Sequence, residues 1–232
     1  MTDDTGLRKS FINEFFLADS VAPGAMDGLW ARGWRHFGPQ FFRYSLTLDG
    51  TGTPSQIHPL RLHLRQHAES KSQRRILRRN ADTAVQVVPA AVGPEQESLF
   101  FRHRTRFRSN VPESLRDFMG SDHPATKPCR CVSVEVRIGE RLAAVSYLDV
   151  GTRAVSSVYA MFDPDESHRS LGIFTLLKEI QWAREEGMDW LYPGYATAGP
   201  GIYDYKKSLR PLQRFDWHSE RWLDLAPETG SI

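Results

Sequence analysis

The chain reads CVSVEVRI at 131–138, RLAAVSYLDV at 141–150 and AVSSVYAMF at 154–162, and these three stretches decide the fold. In each stretch apolar side chains alternate with polar or small ones, which is the pattern of a β-strand. The connections between them are short and contain Gly139 and Gly151, as tight turns between antiparallel strands do. The sequence therefore predicts three consecutive antiparallel strands, a β-meander.

A helix and a further strand are predicted after the meander. Ser170 suits an N-cap and Gly187 suits a C-terminal cap, and the apolar residues between them recur at helical spacing, so we predict a helix from about Ser170 to Glu186. The stretch DWLYPGY at 189–195 reads as the next strand. Meander, helix and strand in this order resemble the core of the GNAT acyltransferase fold. We expect an α+β protein that contains a GNAT-like acyltransferase domain.

The chain has 232 residues, enough for one large domain or two small ones. The loop at 120–129 contains Pro, Ser and Asp and is the best candidate for a boundary. We predict a smaller α/β N-terminal domain over 1–125, packed on a GNAT-like domain over 126–232. Helices are predicted at 6–18 and 24–36.

Composition favours a folded protein, since 40% of the residues are hydrophobic and 25% are charged. The long apolar stretches are only as long as strands, so we expect no membrane span. The N-terminal MTDDTGLRKSF lacks the basic-then-apolar order of a signal peptide, and we expect a cytoplasmic protein. The two cysteines, Cys129 and Cys131, are too few for a structural zinc site. They are expected to be reduced thiols at the start of a strand, and a redox or metal role is the alternative. No metal and no cofactor are predicted.

The net charge of +2 is small, but the positive charge is concentrated in two stretches. As a helix, KSQRRILRRN would place five cations on one face: Lys71, Arg74, Arg75, Arg78 and Arg79. These cations repel one another, and bound phosphates would offset that cost. The alternative is a solvated basic face without a partner. The stretch FRHRTRFR adds four arginines, and its Phe101 and Phe107 are expected to be core residues rather than base-stacking ones.

The joint between the third strand of the meander and the helix reads FDPDESHRSLGIFT. A helix start with Arg169 and Gly172 suits a bound anion, and a capped helix start without a ligand is the alternative. Phe174 stands where coenzyme A-binding GNAT enzymes have a second small residue. Asp163 and Asp165 could orient or deprotonate an attacking amine, but turn formation is the favoured interpretation of Asp-Pro-Asp.

The stretches SSVYAMFDPDESHRSLGIFTLLKEI and YPGYATAGPGIYDYKKSLRPL resemble the C-terminal domain of arginyl-tRNA–protein transferases and their bacterial leucyl-transferring relatives. KSQRRILRRN is similar to the SQRRxxRRN element of the same family. The resemblance covers roughly residues 25–215. Ten residues fall on the family pattern: Tyr159, Asp163, Asp165, Arg169, Gly172, Tyr195, Tyr205, Lys206, Arg210 and Pro211.

The resemblance implies that the chain transfers an amino acid, Arg or Leu, from aminoacyl-tRNA to the N-terminus of acceptor proteins, preferably those that begin with Asp or Glu. The residues hypothesised to be catalytic are Asp163 and Asp165 as a base and Tyr195 and Tyr205 as oxyanion donors. The residues hypothesised to bind substrate are Tyr159, Arg169, Gly172, Lys206 and Arg210. The basic face is expected to bind tRNA, and the added residue to mark the acceptor for degradation.

Two departures from the family pattern leave other functions open. The family's Cys-x-x-Cys pair precedes a stretch like IHPLRLHL, and here that region has no cysteine. The loop YPGYATAGPGIYDYKK also differs from the usual family sequence. The alternatives are a GNAT acyltransferase that uses acyl-coenzyme A and a non-catalytic relative that only binds tRNA.

Overall fold

The computed structural model describes residues 11–48, 52–107, 111–120, 122–199 and 204–225. Within them, the strands are β1 Asn13–Leu17, β2 Arg35–Phe37, β3 Gln40–Tyr44, β4 Leu46–Leu48, β5 Pro54–His63, β6 Ala84–Pro89, β7 Cys131–Ile138, β8 Arg141–Val150, β9 Ala154–Phe162, β10 Trp190–Thr197, β11 Leu212–Asp216 and β12 Arg221–Asp224. The α-helices are α1 Pro23–Ala31, α2 Lys71–Arg79, α3 Pro94–His103, α4 Arg116–Met119 and α5 Leu171–Glu185.

The described strands form two sheets. The larger has the order β12-β11-β5-β10-β9-β8-β7-β6, with β4 paired to β5, and the smaller has the order β1-β3-β2. Strands β7, β8 and β9 pair antiparallel with neighbours in sequence, as predicted. Strand β10 lies parallel to β9 after the crossover through α5. Meander, helix and parallel strand confirm the α+β, GNAT-like prediction.

Both faces of the meander are buried. On one face, Val136 and Ala144 pack against Leu171 and Phe174 of α5. On the other face, Val145 and its neighbours pack against Leu99, Phe100 and other residues around α3. Burial of nearly all of β8 follows from this three-layer packing.

Strands β9 and β10 separate soon after they meet. They pair only from Trp190 to Tyr192, opposite Ala154 to Ser156. Beyond that, β9 stays with β8 while β10 continues beside β5, with a register shift before Gly194, whose φ is 107°. A positive φ of this kind favours glycine. The separation leaves a gap in the centre of the sheet, here called the splay.

Two predictions for the N-terminal region are wrong. Residues 13–17, within the predicted helix 6–18, form strand β1, because Phe16 packs against Phe41 of β3 rather than on a helical face; residues 6–10 lie outside the described residues. The predicted helix 24–36 ends at Ala31, and Gly33, with φ of 82°, leads into strand β2.

The domain division at residue 125 stays a prediction. Strands β5 and β6 come before that residue, yet both pair in the same sheet as the meander. Among the described residues, none of the helices is long and apolar enough to cross a bilayer.

Candidate active site

Arg35, at the start of β2, inserts its guanidinium into the splay. It donates hydrogen bonds to the Ser156 hydroxyl and the Ser157 carbonyl on β9, and to the Tyr192 carbonyl of β10 at 3.3 Å. The parting strands leave these groups without their usual ladder partners, and the five donors of arginine suit such a place. Burial lowers the pKa of Arg35, with the negative groups around it opposing that shift.

Two further ionisable groups lie beside Arg35. Glu179, in the middle of α5, is only 2% exposed and accepts a hydrogen bond from the Ser157 hydroxyl at 2.5 Å. Lys206 lies in the 3-10 turn that follows β10, and a Cβ built on Gly194 would come within 3.0 Å of its Nζ. Lys206 is surrounded by protein atoms but keeps some contact with solvent.

Glu179 and Lys206 both titrate near neutral pH. Burial raises the pKa of Glu179 to about 7, although hydrogen bonds from Ser157 and Ser146 and the charges of Lys206 and Arg35 act the other way. Burial and the repulsion of Arg35 lower the pKa of Lys206 to about 7, against the attraction of Glu179. Paired groups with such values are the usual means of moving a proton at pH 7.

The splay also includes one of the predicted tyrosines. Tyr195 lies close enough for its phenol to act on Arg35 electrostatically, and its hydroxyl donates to the Gly33 carbonyl at 2.6 Å. Burial raises the pKa of Tyr195. Tyr205 instead packs against the apolar core around α5, although it neighbours Lys206 in the chain. The oxyanion roles of both tyrosines stay predictions.

Asp163 and Asp165 lie at the strand–helix joint. The Asp163 carboxylate is 2% exposed, pairs with Arg141 and with Arg102 at 3.4 Å, and accepts the backbone N–H of Asp165 at 3.1 Å. Asp165 itself is exposed on the same turn. The arrangement is that of a fixed turn anchored by arginines, and the role of the two carboxylates as a base stays a prediction.

Three of the predicted substrate-binding residues also lie at or near this joint. Arg169 makes two hydrogen bonds to Asp82, at 2.8 and 2.9 Å, and one to Glu166 at 3.0 Å. A Cβ at Gly172 would lie 3.1 Å from the Phe162 ring, so this glycine is needed for packing. Tyr159 stacks on Phe118, with ring centroids 4.0 Å apart. These contacts neither support nor contradict a role of the three residues in binding substrate, so that role stays a prediction.

The basic stretch 71–79 forms a helix, as predicted. Ser70 and Gln73 form a capping box at its start, and the five predicted tRNA-binding cations are exposed on its surface: Lys71, Arg74, Arg75, Arg78 and Arg79. Its C-terminal end is fixed to the joint, because Asn80 donates to the carbonyl of Arg169 at 2.9 Å. The basic face therefore leads directly to the start of α5.

The second arginine-rich stretch reaches the same joint. Arg102 pairs with Asp163, and the guanidinium of Arg106 lies 4.2 Å from the centre of the Phe162 ring. The prediction that Phe101 is a core residue is wrong, since its side chain is 53% exposed and lies beneath Arg104. The core position is taken by its neighbour Phe100, because the helix turns that residue towards β9.

A groove of about 500 Å³ lies on the other side of the turn that carries Lys206. Its lining includes four basic residues and one acid: His58, Lys207, Arg210, Arg214 and Asp204. Arg210, predicted to bind substrate, uses one guanidinium nitrogen to hold the carbonyls of Lys207 and Leu209, which leaves other donors for a ligand. Lys206 thus lies at the splay, and the next residue, Lys207, lines the groove.

His36, Cys129 and Asp149 form a buried group of three different metal-binding side chains, the only such group found among the described residues. Cys129 and Cys131 are buried thiols next to the start of β7, not joined to each other, as predicted. Burial raises the pKa of both thiols.

Sequence reasoning missed Arg35, Glu179 and His36. Glu179 carried a signal, because a carboxylate stands in the apolar face of a predicted helix, between Leu176 and Ala183. Arg35 and His36 carried none, since the stretch around them reads as an ordinary mixed turn.

A family model described as arginine-tRNA-protein transferase, C terminus, matches residues 95–216. A protein of Stenotrophomonas maltophilia strain R551-3 named aspartate/glutamate leucyltransferase is 32% identical over 181 residues, which are 73% of this chain and 69% of that protein. One of the same name from Xanthomonas campestris pv. campestris strain B100 is 34% identical over 181 residues, 75% of this chain and 71% of the relative.

Among solved structures, L-PGS from Bacillus licheniformis superposes with a TM-score of 0.44 at 10% identity, over 73% of this chain and 60% of that one. The GCN5-related glucosamine N-acetyltransferase region of a fungal multi-domain enzyme superposes with a TM-score of 0.40 at 13% identity, over 78% of this chain and 22% of that one.

Proposed function

Since this chain belongs to the arginine-tRNA-protein transferase family and is an aminoacyltransferase that uses aminoacyl-tRNA, we propose that its donor is leucyl-tRNA and its acceptor a protein beginning with Asp or Glu. The names of the two relatives support leucine over arginine as the transferred residue. Leucine at the new N-terminus would mark the acceptor for degradation. Aminoacyl-tRNA is made where translation takes place, so we also propose a cytoplasmic location without membrane attachment.

The observation that carries the mechanism is the pair Lys206 and Glu179 in the splay. The acceptor's α-amine has an ordinary pKa of about 8 and must lose a proton before it attacks. With its pKa lowered to about 7, neutral Lys206 can take that proton, and the resulting ammonium is stabilised by Glu179. Lys206 is better supported than Asp163, whose carboxylate already has several partners.

The transfer then needs no other chemical partner. The amine nitrogen attacks the ester carbonyl of the aminoacyl-tRNA, and an amide bond forms. The bond from the carbonyl carbon to the ribose oxygen breaks, and this oxygen leaves as a hydroxyl after it takes the second proton of the attacking nitrogen. Because the ester is already activated, the remaining task is to position two substrates.

The basic face and the FRHRTRFR arginines suit the donor tRNA. The exposed cations of α2 and the guanidinium groups of Arg102 and Arg106 surround the joint from two sides. Phosphates of the acceptor stem would release the counterions held there and lower the repulsion between these cations. The 3′ end of the tRNA would then reach the splay.

The groove suits the acceptor's acidic side chain. Lys207, Arg210 and Arg214 give the groove a positive charge, and a carboxylate of Asp or Glu would form charge-assisted hydrogen bonds there. The same turn presents Lys206 to the splay, so the side chain and the α-amine of one residue can be bound together.

The test is transfer of radiolabelled leucine or arginine from charged tRNA to peptides that begin with Asp, Glu or Ala. We expect leucine to move to the Asp and Glu peptides, and Lys206→Met to lower the rate at least 100-fold while tRNA binding is kept. Lys178→Met, on α5 away from the splay, is the matched control.

Each other outcome is decisive. Transfer of arginine would correct the donor, and a fully active Lys206→Met would exclude this lysine as the base. Saturable binding of coenzyme A with no transfer from tRNA would identify an acyl-coenzyme A enzyme. Tight tRNA binding without any transfer would identify a non-catalytic relative.

A further inference from the structure

Three side chains from separate parts of the chain meet beneath strand β2. His36 lies on β2, Cys129 precedes β7 and Asp149 is on β8, and they are 5%, 2% and 3% exposed. His36 Nε2 is 2.7 Å from Asp149 Oδ2 and 3.8 Å from Cys129 Sγ, and the three ligand atoms all lie within 4.8 Å of one another. This group of nitrogen, sulfur and oxygen donors lies next to the splay, close enough for Asp149 to act on Arg35 electrostatically, but it has no part in the proposed transfer.

The hydrogen bonds of His36 define which of its nitrogens faces the group. Nδ1 lies 2.9 Å from the carbonyl oxygen of Gly38, which can only accept, so Nδ1 carries a proton. A neutral imidazole would then present the lone pair of Nε2 to the carboxylate of Asp149, two acceptors 2.7 Å apart. Something positive must stand between them: either one proton shared by the ring and the carboxylate, or a metal ion.

An imidazole whose Nδ1–H is held by a backbone carbonyl is the usual arrangement of a metal-binding histidine. The carbonyl fixes the tautomer and the ring orientation, so that Nε2 points at the metal. Here the turn after β2 supplies this carbonyl two residues after the histidine.

We propose that His36, Cys129 and Asp149 bind one divalent transition-metal ion of the zinc class. The ion would replace the proton between Nε2 and the carboxylate and the proton of the Cys129 thiol, so two protons leave for each ion bound. The net charge of the buried group is zero in both forms. Without metal, one proton is shared by His36 and Asp149 and Cys129 is a thiol; with metal, an imidazole, a carboxylate and a thiolate hold a doubly charged ion. Burying the ion therefore adds no uncompensated charge.

The spacing fits such an ion after a small adjustment. Tetrahedral zinc with ordinary bond lengths places its nitrogen and sulfur ligands about 3.6 Å apart, close to the 3.8 Å between Nε2 and Sγ. The carboxylate oxygen, now 2.7 Å from Nε2, would have to move away by roughly 0.7 Å. Mixed nitrogen, sulfur and oxygen donors favour zinc or cobalt over magnesium or calcium, which prefer oxygen alone.

The ion would fix the strand that supplies Arg35. Successive side chains of a strand point to opposite sides. On β2, Arg35 enters the splay and His36 faces the metal ligands. We therefore expect a structural role, with the fourth tetrahedral position of the ion filled by a water molecule rather than by substrate.

The test is titration of the metal-free full-length chain with Co²⁺, together with the zinc content of protein purified without chelator. One equivalent of Co²⁺ should produce the thiolate-to-cobalt charge-transfer absorption, and zinc should abolish that absorption by competition. Cys129→Ser should lose the absorption, whereas Cys131→Ser, an equally buried thiol two residues on and outside the group, should keep it. A pH indicator should register about two protons released per ion at neutral pH.

Two results would contradict the proposed metal site. Wild-type protein that is folded by circular dichroism and binds no Co²⁺ at one equivalent would overturn the site and leave a buried hydrogen bond between His36 and Asp149. Equal loss of the absorption in both cysteine variants would overturn the assignment of the ligands. Should Cys129→Ser fail to fold, Asp149→Asn keeps the proposal falsifiable, since it retains the shape of the side chain but removes the charge. Neither the cobalt absorption nor the proton release depends on aminoacyl transfer. Failure of the metal site would therefore be distinguishable from failure of the proposed function.

Discussion

Replacing Glu179 by Gln removes a carboxylate that is buried between helix α5 and strand β9. Burial raises its pKa from the ordinary 4.5 to about 7, so between these values the folded chain holds a proton that the unfolded chain has lost. The free energy of unfolding must then fall as pH rises through this window. At about 1.4 kcal/mol per pH unit, the whole fall is about 3 kcal/mol, of which about 2 kcal/mol occurs between pH 5 and pH 7.

The other charged groups that face Glu179 do not obscure this window. Arg35 stays protonated throughout it. Lys206 has the opposite sign: with its pKa lowered from 10.5 to about 7, its contribution to stability rises with pH, and only above about pH 7. Glu179→Gln should therefore flatten the profile between pH 5 and pH 7, and at pH 7 the variant should be the more stable protein.

The assay is urea unfolding at several pH values, followed by the fluorescence of the six tryptophans and extrapolated linearly to water. Glu185→Gln, at an exposed position of the same helix, is the matched control and should leave the slope unchanged. Parallel profiles for Glu179→Gln and wild type would refute the reasoning, because they would mean that this carboxylate titrates normally in the folded protein.

Three other substitutions test separate parts of the structure. Gly120→Ala should lower the free energy of unfolding by at least about 2 kcal/mol more than Gly139→Ala. Both glycines have a positive φ, but a Cβ at Gly120 would lie 2.4 Å from the Cα of Gly38, whereas a Cβ at Gly139 meets nothing within 4 Å. Equal urea midpoints for the two variants would contradict the prediction. Arg74→Gln should weaken tRNA binding and reduce the slope of log K against log salt by about 0.7 to 0.9. An unchanged slope in a filter-binding assay would show that Arg74 does not contact the tRNA. Arg210→Met should lower kcat/KM about 10- to 100-fold for peptides beginning with Asp, without changing the affinity for tRNA; a similar loss of tRNA affinity would place the arginine on the donor side instead.

The C-terminal part of the fold was predictable because its signals are local. The bounds of β7, β8 and β9 agree with the predicted strands residue for residue, and helix α5 begins and ends within one residue of its prediction. Alternation, glycine turns and helical spacing are each complete within a few residues. Ser170 does stand at the helix start, but in the left-handed conformation and without a side-chain capping hydrogen bond, so the position was correct and the reason was not.

The N-terminal part was less predictable because its structure depends on distant partners. Phe15 and Phe16 read as a helical face, yet β1 is held as a strand by β3. The candidate active site depends on distant partners in the same way. Arg35 and Lys206 are far apart in the sequence, and they come together because β9 and β10 separate. No local sequence pattern indicates that separation. Lys206 and Tyr195 were named from the family resemblance; of the residues that sequence reasoning missed, only Glu179, an acid in an apolar helical face, carried a signal.

Strand β5 is made early in synthesis but pairs on both sides with strands that are made late, β10 and β11. Until these strands leave the ribosome, β5 has only the short β4 as a hairpin partner, so the largest sheet is completed only after β11 has been made. A fragment limited to the matched residues 95–216 lacks both β5 and β6 and exposes the edges of β10, β11 and β7. We expect such fragments to aggregate, and premature termination before β11 to give a product that cellular proteases remove.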